Sequence, residues 1–258
     1  MNAVARKRFG QHFLTDPHAI ARIVDAIDPR TGDSIVEIGP GRAALSGALL
    51  QRIVSLRAIE IDRDLAQWLR GRYPALRLEL IEGDALQIDY GSMAAAAPIR
   101  LVGNLPYNIS TPLLVHLIAS RASIIDQHFM LQKEVVMRIV SDAGQSAFGR
   151  LSVLLQAFYQ VQWLFDVSPD CFEPPPKVTS SVLRMRPRTD HVAPTLASLE
   201  RLTHQAFAQK RKMLRKTLLP WLEQRGLDAA LIDPTARAED VSVAVYCELA
   251  RQLDLGAK

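Results

Sequence analysis

Between Ser34 and Phe158 short apolar runs alternate with segments of helical periodicity, and no other feature constrains the fold of this chain as much. A strand that leads through a helix into another strand requires a crossover connection, and such crossovers build parallel sheets covered by helices on both faces. The runs predict strands at Ser34–Ile38, Leu56–Ile61, Leu76–Ile81, Ile99–Gly103 and His128–Leu131, with a later pair at Val161–Val167 and Ser181–Met185. Helices are predicted at Ala44–Ile53, Asp64–Arg70, Pro112–Ala119, Lys133–Ser141 and Leu151–Phe158. One more helix precedes the first strand. Asp16 reads as its N-cap with Pro17 after it, Ile20, Ile23, Val24 and Ile27 share one face, and Asp28-Pro29 ends it. No long helix separates the last two strands, so one of them is expected to run antiparallel at that edge.

Near Pro187–Pro194 the pattern breaks, and everything beyond reads helical: Thr195–Ala208, Lys210–Arg225, Leu227–Leu231 and Val241–Leu253. The expected division is an α/β domain over 1–188 and a smaller helical domain over 189–258. A chain of 258 residues, 48% hydrophobic and 22% charged, has enough apolar material for both. The formal net charge of +4 is mild, but the cations cluster. Arg6, Lys7 and Arg8 lead the chain, and Arg201 to Lys216 carries Lys210, Arg211, Lys212, Arg215 and Lys216 without one acid. A phosphate-facing surface and a polyanionic partner are the expectation. Cys171 and Cys247 lack the paired spacing of a zinc site, and His12 lacks companions at ligand spacing, so no metal is expected. No apolar run follows the basic start or reaches membrane-spanning length, which predicts a soluble, cytoplasmic protein without a membrane partner.

Three strand ends carry candidate chemistry. Glu37-Ile38-Gly39-Pro40-Gly41 closes the first strand, where glycines let a backbone approach a ligand closely. Glu60 follows about 20 residues beyond Gly41, the place of a ribose-binding acid, so a nicotinamide enzyme fits the glycine pattern as well. Glu37 stands two residues ahead of the first glycine, a form that resembles methyltransferases using S-adenosylmethionine, and Asp84 is placed to accept from an adenine amine. Asn104-Leu105-Pro106-Tyr107 ends the next strand with an amide, outward carbonyls and an aromatic face. A planar amine held there points to methyl transfer onto a nucleobase nitrogen. The same tetrapeptide also reads as a plain strand-to-helix turn, with Thr111 as N-cap and Pro112 first in the helix.

The motifs together resemble one family, the ribosomal RNA adenine dimethyltransferases acting on small-subunit RNA. The likeness runs through Arg8–Leu14, Val36–Gly41, Gly103–Pro112, Leu131–Val136, Phe172–Val178 and Phe207–Lys212, nearly the whole chain. It implies a Rossmann-like class I methyltransferase fold, a seven-stranded, mostly parallel sheet with one antiparallel edge strand, plus a small all-α domain. It implies that His12 and Leu14 border a cavity for S-adenosyl-L-methionine, with Gly39 and Gly41 beside them, Glu60 on the ribose and Asp84 on the adenine. Asn104, Leu105, Pro106 and Tyr107 would hold the target base, with Phe172 covering its other face. Arg6, Lys7, Arg8, Lys210, Arg211, Lys212 and Arg215 would face the RNA of an immature small subunit, met by a monomer. The family usually has Asn where this chain has His12. A role through the backbone leaves that contact intact, whereas a role through the side-chain amide alters it.

Overall fold

The computed structural model describes residues 11–209 and 211–256, so Arg6, Lys7, Arg8 and Lys210 lie outside the described residues. A two-residue strand, β1 (Phe13–Leu14), leads into α1 (Pro17–Ile27), where Asp16 Oδ1 accepts from the Ala19 N–H at 2.7 Å. Ile23, Val24 and Ile27 are the buried face of that helix, each stabilising by ~1.5–3 kcal/mol on burial. Then follow β2 (Ile35–Ile38), α2 (Ala44–Leu49), β3 (Leu56–Glu60), α3 (Arg63–Arg72) and β4 (Leu78–Glu82). A short α4 (Tyr90–Met93) precedes β5 (Ile99–Asn104), and α5 (Ser110–His116) continues as a 3-10 stretch to Ser123 before β6 (Ile124–Gln132). After α6 (Lys133–Val140) and α7 (Arg150–Phe158) come β7 (Tyr159–Val167), β8 (Phe172–Glu173) and β9 (Ser180–Pro187). The rest is α8 (Leu196–Phe207), α9 (Leu219–Glu223) and α10 (Val243–Gly256), joined by 3-10 turns.

Seven strands form one sheet in the order β4-β3-β2-β5-β6-β9-β7. β2 pairs in parallel with both β3 and β5, so the chain reverses its direction of travel across the sheet there. Ligands of open α/β sheets bind at the carboxyl ends of the strands beside such a reversal. The antiparallel strand is β9, against β6, and it sits one place in from the edge, with β7 outermost. A separate ribbon pairs β1 with β8 antiparallel, Phe13 opposite Glu173 and Leu14 opposite Phe172.

The contacts divide the chain into two units. One takes the described residues up to Val136 together with Gln162–Pro187, and the other takes Met137–Val161 and everything from Arg188. The expected division at 188/189 therefore differs for the segment carrying α7, because α7 packs against α8 and α10. The expected helix over Lys210–Arg225 is also corrected. Met213 is extended, Leu214–Lys216 is a 3-10 turn, and helix resumes only at Leu219, next to Pro220. Leu227–Leu231 shortens to a 3-10 turn over Ala229–Leu231. At α5 the helix begins at Ser110, with Ile109 rather than Thr111 in the capping position. No helix among the described residues is long and apolar enough to cross a membrane.

Candidate functional site

His12, Leu14, Gly39, Gly41, Glu60, Asp84, Asn104, Leu105, Pro106 and Tyr107 all line one cavity of about 330 Å³ at the carboxyl ends of β2 to β5. Close strand packing brings them together. A Cβ on Gly103 would lie 2.4 Å from the Ile38 carbonyl oxygen, so only glycine lets β5 lie against the end of β2. Gly39 and Gly41 have φ of 69° and 55°, a region that L side chains rarely adopt, and this turns the loop sharply above β2.

Two acids under that loop are buried without a cationic partner among the described residues. Glu37 is 2% exposed, and its Oε2 accepts from Ser46 Oγ at 2.5 Å. Burial pushes its carboxyl up to about 7, the Ser46 hydroxyl opposes this, and the neighbouring Glu60 charge adds to it. Glu60 is 4% exposed and takes the N–H of Asp62 at 2.9 Å and that of Gly41 at 3.3 Å. Its pKa is also raised, by burial first, with the Asp62 and Gly41 N–H groups opposing. Asp84 Oδ1 accepts from Leu86 N–H at 2.9 Å, capping the turn after β4, and Oδ2 has no protein donor among the described residues.

Asn104 closes the cavity from β5. Its Nδ2 donates to the His12 carbonyl at 3.0 Å, which fixes the amide and leaves Oδ1 without a protein donor among the described residues. The His12 position thus reaches Asn104 through its backbone, the contact that is indifferent to Asn or His there. The imidazole has a job of its own: Nδ1 donates to the Pro174 carbonyl at 2.7 Å, and the ring stacks on Tyr107 with centroids 5.8 Å apart. The Tyr107 hydroxyl meets Ser180 Oγ at 3.1 Å, and burial raises its pKa, keeping a neutral phenol. Pro106 carbonyl accepts from Ile109 N–H at 3.2 Å, so of the two outward carbonyls the Leu105 one is the freer.

Phe172 is not brought to this cavity. It is 4% exposed in the apolar core, because pairing with Leu14 on β1 turns its ring inward. Reading the sequence also passed over Gln11, Asp62 and Ser180. Gln11 Nε2 donates to Asp62 Oδ2 at 3.4 Å, and both flank residues singled out for other reasons. Ser180 follows a proline-rich segment by a few residues and carries no spacing that marks it. Of the basic run, Arg211, Lys212 and Arg215 are exposed.

A family model described as ribosomal RNA adenine dimethylase matches residues 2–255. The ribosomal RNA small subunit methyltransferase A of Bordetella pertussis is 51% identical over 251 residues, covering 96% of this chain and 94% of that one. The protein of the same description from Aromatoleum aromaticum is 51% identical over 244 residues, covering 94% and 91%. Among solved structures, a dimethyladenosine transferase from Plasmodium falciparum shares the fold with a TM-score of 0.80 at 24% identity, covering 95% of this chain and 98% of that one. The 23S rRNA methyltransferase ErmE follows at 0.73 and 25% identity, covering 94% and 99%.

Proposed function

Since this chain belongs to the ribosomal RNA adenine dimethylase family, we propose that it dimethylates N6 of two adjacent adenines in the 3′-terminal hairpin loop of small-subunit (16S) ribosomal RNA. The substrate we infer is the immature small subunit, met by a monomer, with S-adenosyl-L-methionine as methyl donor. The donor set fits that group. Two buried acids face a cavity whose rim lacks a side chain at Gly39 and Gly41, and Asp84 holds a spare acceptor oxygen.

When bound, S-adenosylmethionine supplies a methyl group on a sulfonium centre, electrophilic enough that the attacking amine needs no prior deprotonation. Glu60 holds the ribose hydroxyls: a carboxylate has about four acceptor sites, and two N–H groups leave it room. Asp84 Oδ2 accepts from the donor's adenine amine, and His12 and Leu14 border it. Asn104 Oδ1 and the Leu105 carbonyl accept the two hydrogens of the target amine. That draws its lone pair out of conjugation with the ring and stabilises the positive charge that develops on nitrogen, both from dipoles fixed in advance. Tyr107, held at its hydroxyl by Ser180, gives the extruded base a face to stack on. Phe172, buried against Leu14, supports β1 and with it the His12 carbonyl. An unpaired loop base is cheaper to extrude than a stacked one, which suits a hairpin-loop target.

The observation that carries this reading is the Asn104 amide, oriented by the His12 carbonyl at the end of β5 in the cavity that Gly39 and Tyr107 also line. The test gives the protein labelled donor and undermethylated small subunits, then digests the RNA. Dimethyladenosine at two adjacent positions is expected. Label confined to large-subunit RNA, the substrate named for ErmE, or no label at all, sinks the reading.

A further inference from the structure

A second cavity, of about 360 Å³, lies wholly within the helical unit and shares no residue with the first. Arg150 comes from the first turn of α7, Arg201 and His204 from α8, Trp221 from α9 and Arg225 from just beyond it. Three guanidinium groups and an imidazole thus line the groove with a single carboxylate, Glu200, which Arg150 Nη2 approaches at 3.6 Å. Arg201 has no acidic partner among the described residues. The Arg225 guanidinium lies over the Trp221 ring, 4.1 Å from its centroid, making a flat cation–aromatic layer. Gln205 Nε2 donates to the Thr217 carbonyl at 2.8 Å, which ties α8 to the segment leading into α9 and keeps the groove's two walls together.

Each part has a use in binding RNA. Guanidinium forks match phosphate oxygens in two-point contacts; that of Arg201 has no acidic partner among the described residues, and that of Arg150 meets Glu200 only at 3.6 Å. A ring with a guanidinium plane on it is a stacking platform for an unpaired base, and stacking tolerates any sequence. An acidic peptide would satisfy the charge but leave the platform unused. Arg150, Trp221 and Arg225 lie outside the run of cations from Arg201 to Lys216, of whose cations only Arg201 lines this surface.

We propose that this groove is a second RNA-binding subsite, where phosphates meet Arg150 and Arg201 and an unpaired base of the substrate stacks on the Trp221–Arg225 layer. The proposal rests on reading small-subunit RNA as the substrate. Its test is therefore a binding measurement without methyl donor, which stands whether or not methyl transfer occurs. A fluorescent hairpin fragment of small-subunit RNA is titrated with the protein at several salt concentrations. With R150Q/R201Q the dependence of log affinity on log salt becomes shallower by about two, roughly one for each phosphate contact removed. With W221A the slope stays as it was, and binding weakens about fivefold or more. Unchanged helical circular dichroism and an unchanged urea-unfolding midpoint show that both variants are folded. The proposal is overturned if neither variant changes slope or affinity, and its stacking half is overturned if W221A alone is silent. Weaker binding to whole small subunits with binding to naked RNA unchanged also overturns it, because the groove's occupant is then a ribosomal protein.

Discussion

At the start of β5, Arg100 meets Asp126 through both Nε and Nη2 at 2.9 Å, Asp33 through Nη1 at 2.7 Å and the Ile27 carbonyl at 2.6 Å. At the other end of the same sheet, Glu37 and Glu60 are as deeply buried but have only a hydroxyl and N–H groups for partners. One end satisfies its charges internally and holds β5, β6 and the approach to β2 in register. The other keeps carboxylates in a low-dielectric site with acceptor capacity to spare, the arrangement that marks a binding site rather than a brace. Stability and chemistry are thus lodged at opposite ends of one sheet, and substitutions should separate them.

The largest effect is expected at the closed end. Arg100→Ala strands Asp126, 3% exposed, and Asp33 without their cation, which should cost about 3–5 kcal/mol in urea unfolding. A loss under about 1 kcal/mol would mean that the pairing is incidental and the contrast between the ends false. Asn104→Ala should do the reverse. It removes one hydrogen bond, worth ~1 kcal/mol of stability, while methyl transfer to small-subunit RNA in single-turnover assays falls ~100–1000-fold. If that variant unfolds more readily but transfers methyl groups normally, Asn104 belongs with the brace.

The open end was the legible one. Glu37, Glu60, Asp84 and Asn104 each close an apolar strand run, and parallel strands carry their ends to the same side, so linear position became spatial proximity. The closed end hid itself. Arg100 sits inside an apolar run and its partner Asp126 lies 26 residues away, so neither spacing nor composition pairs them. Asp126 and Gln127 also disguised the first half of β6, which spans Ile124–Gln132 where only His128–Leu131 stood out. Phe172 was misread for a related reason: a two-residue ribbon that pairs Leu14 with Phe172, far apart in the chain, has no period to detect, yet it decides which way that ring faces. The break at Met213–Leu218 was missed because a run of cations without acids resembles a solvated helix face even when a nearby proline prevents one.

Acid titration sharpens the contrast. Burial holds Glu37 at about 7 in the fold against an ordinary 4.5, so the folded state binds its proton more readily. That contribution is complete below pH 4.5 and disappears as pH rises through 7. His128 on β6 behaves oppositely. Burial lowers it from 6.5 to about 4, with Asp126 opposing and Arg100, Arg184 and Arg186 adding to the drop. Its neutral ring is no burden above pH 6.5, and stability is lost as pH falls from there through 4. Each amounts to ~3 kcal/mol, so the two largely offset each other in the intact protein. Urea unfolding at pH 7 and pH 4 should show E37Q losing about 3 kcal/mol more than the parent on acidification, and H128Q about 3 kcal/mol less. Parallel behaviour of both variants would place the two groups in the same electrostatic setting and erase the distinction.

The smallest effect is expected at His12, where the open end is tuned rather than built. Its carbonyl holds Asn104 whatever the side chain, so His12→Ala keeps that bond and loses only the Nδ1 contact to Pro174 and the stack on Tyr107. A hydrogen bond and a ring pair are each worth ~0.5–1.5 kcal/mol, which predicts roughly tenfold slower transfer with little change in donor affinity. His12→Asn regains a donor for the Pro174 carbonyl but no ring, and should recover part of the loss. Equal rates for the Asn and Ala variants would assign the whole effect to stacking. A drop in donor affinity in both would instead mean that the imidazole supports the donor's side of the cavity, and that the clamp on the target amine is set by the backbone alone.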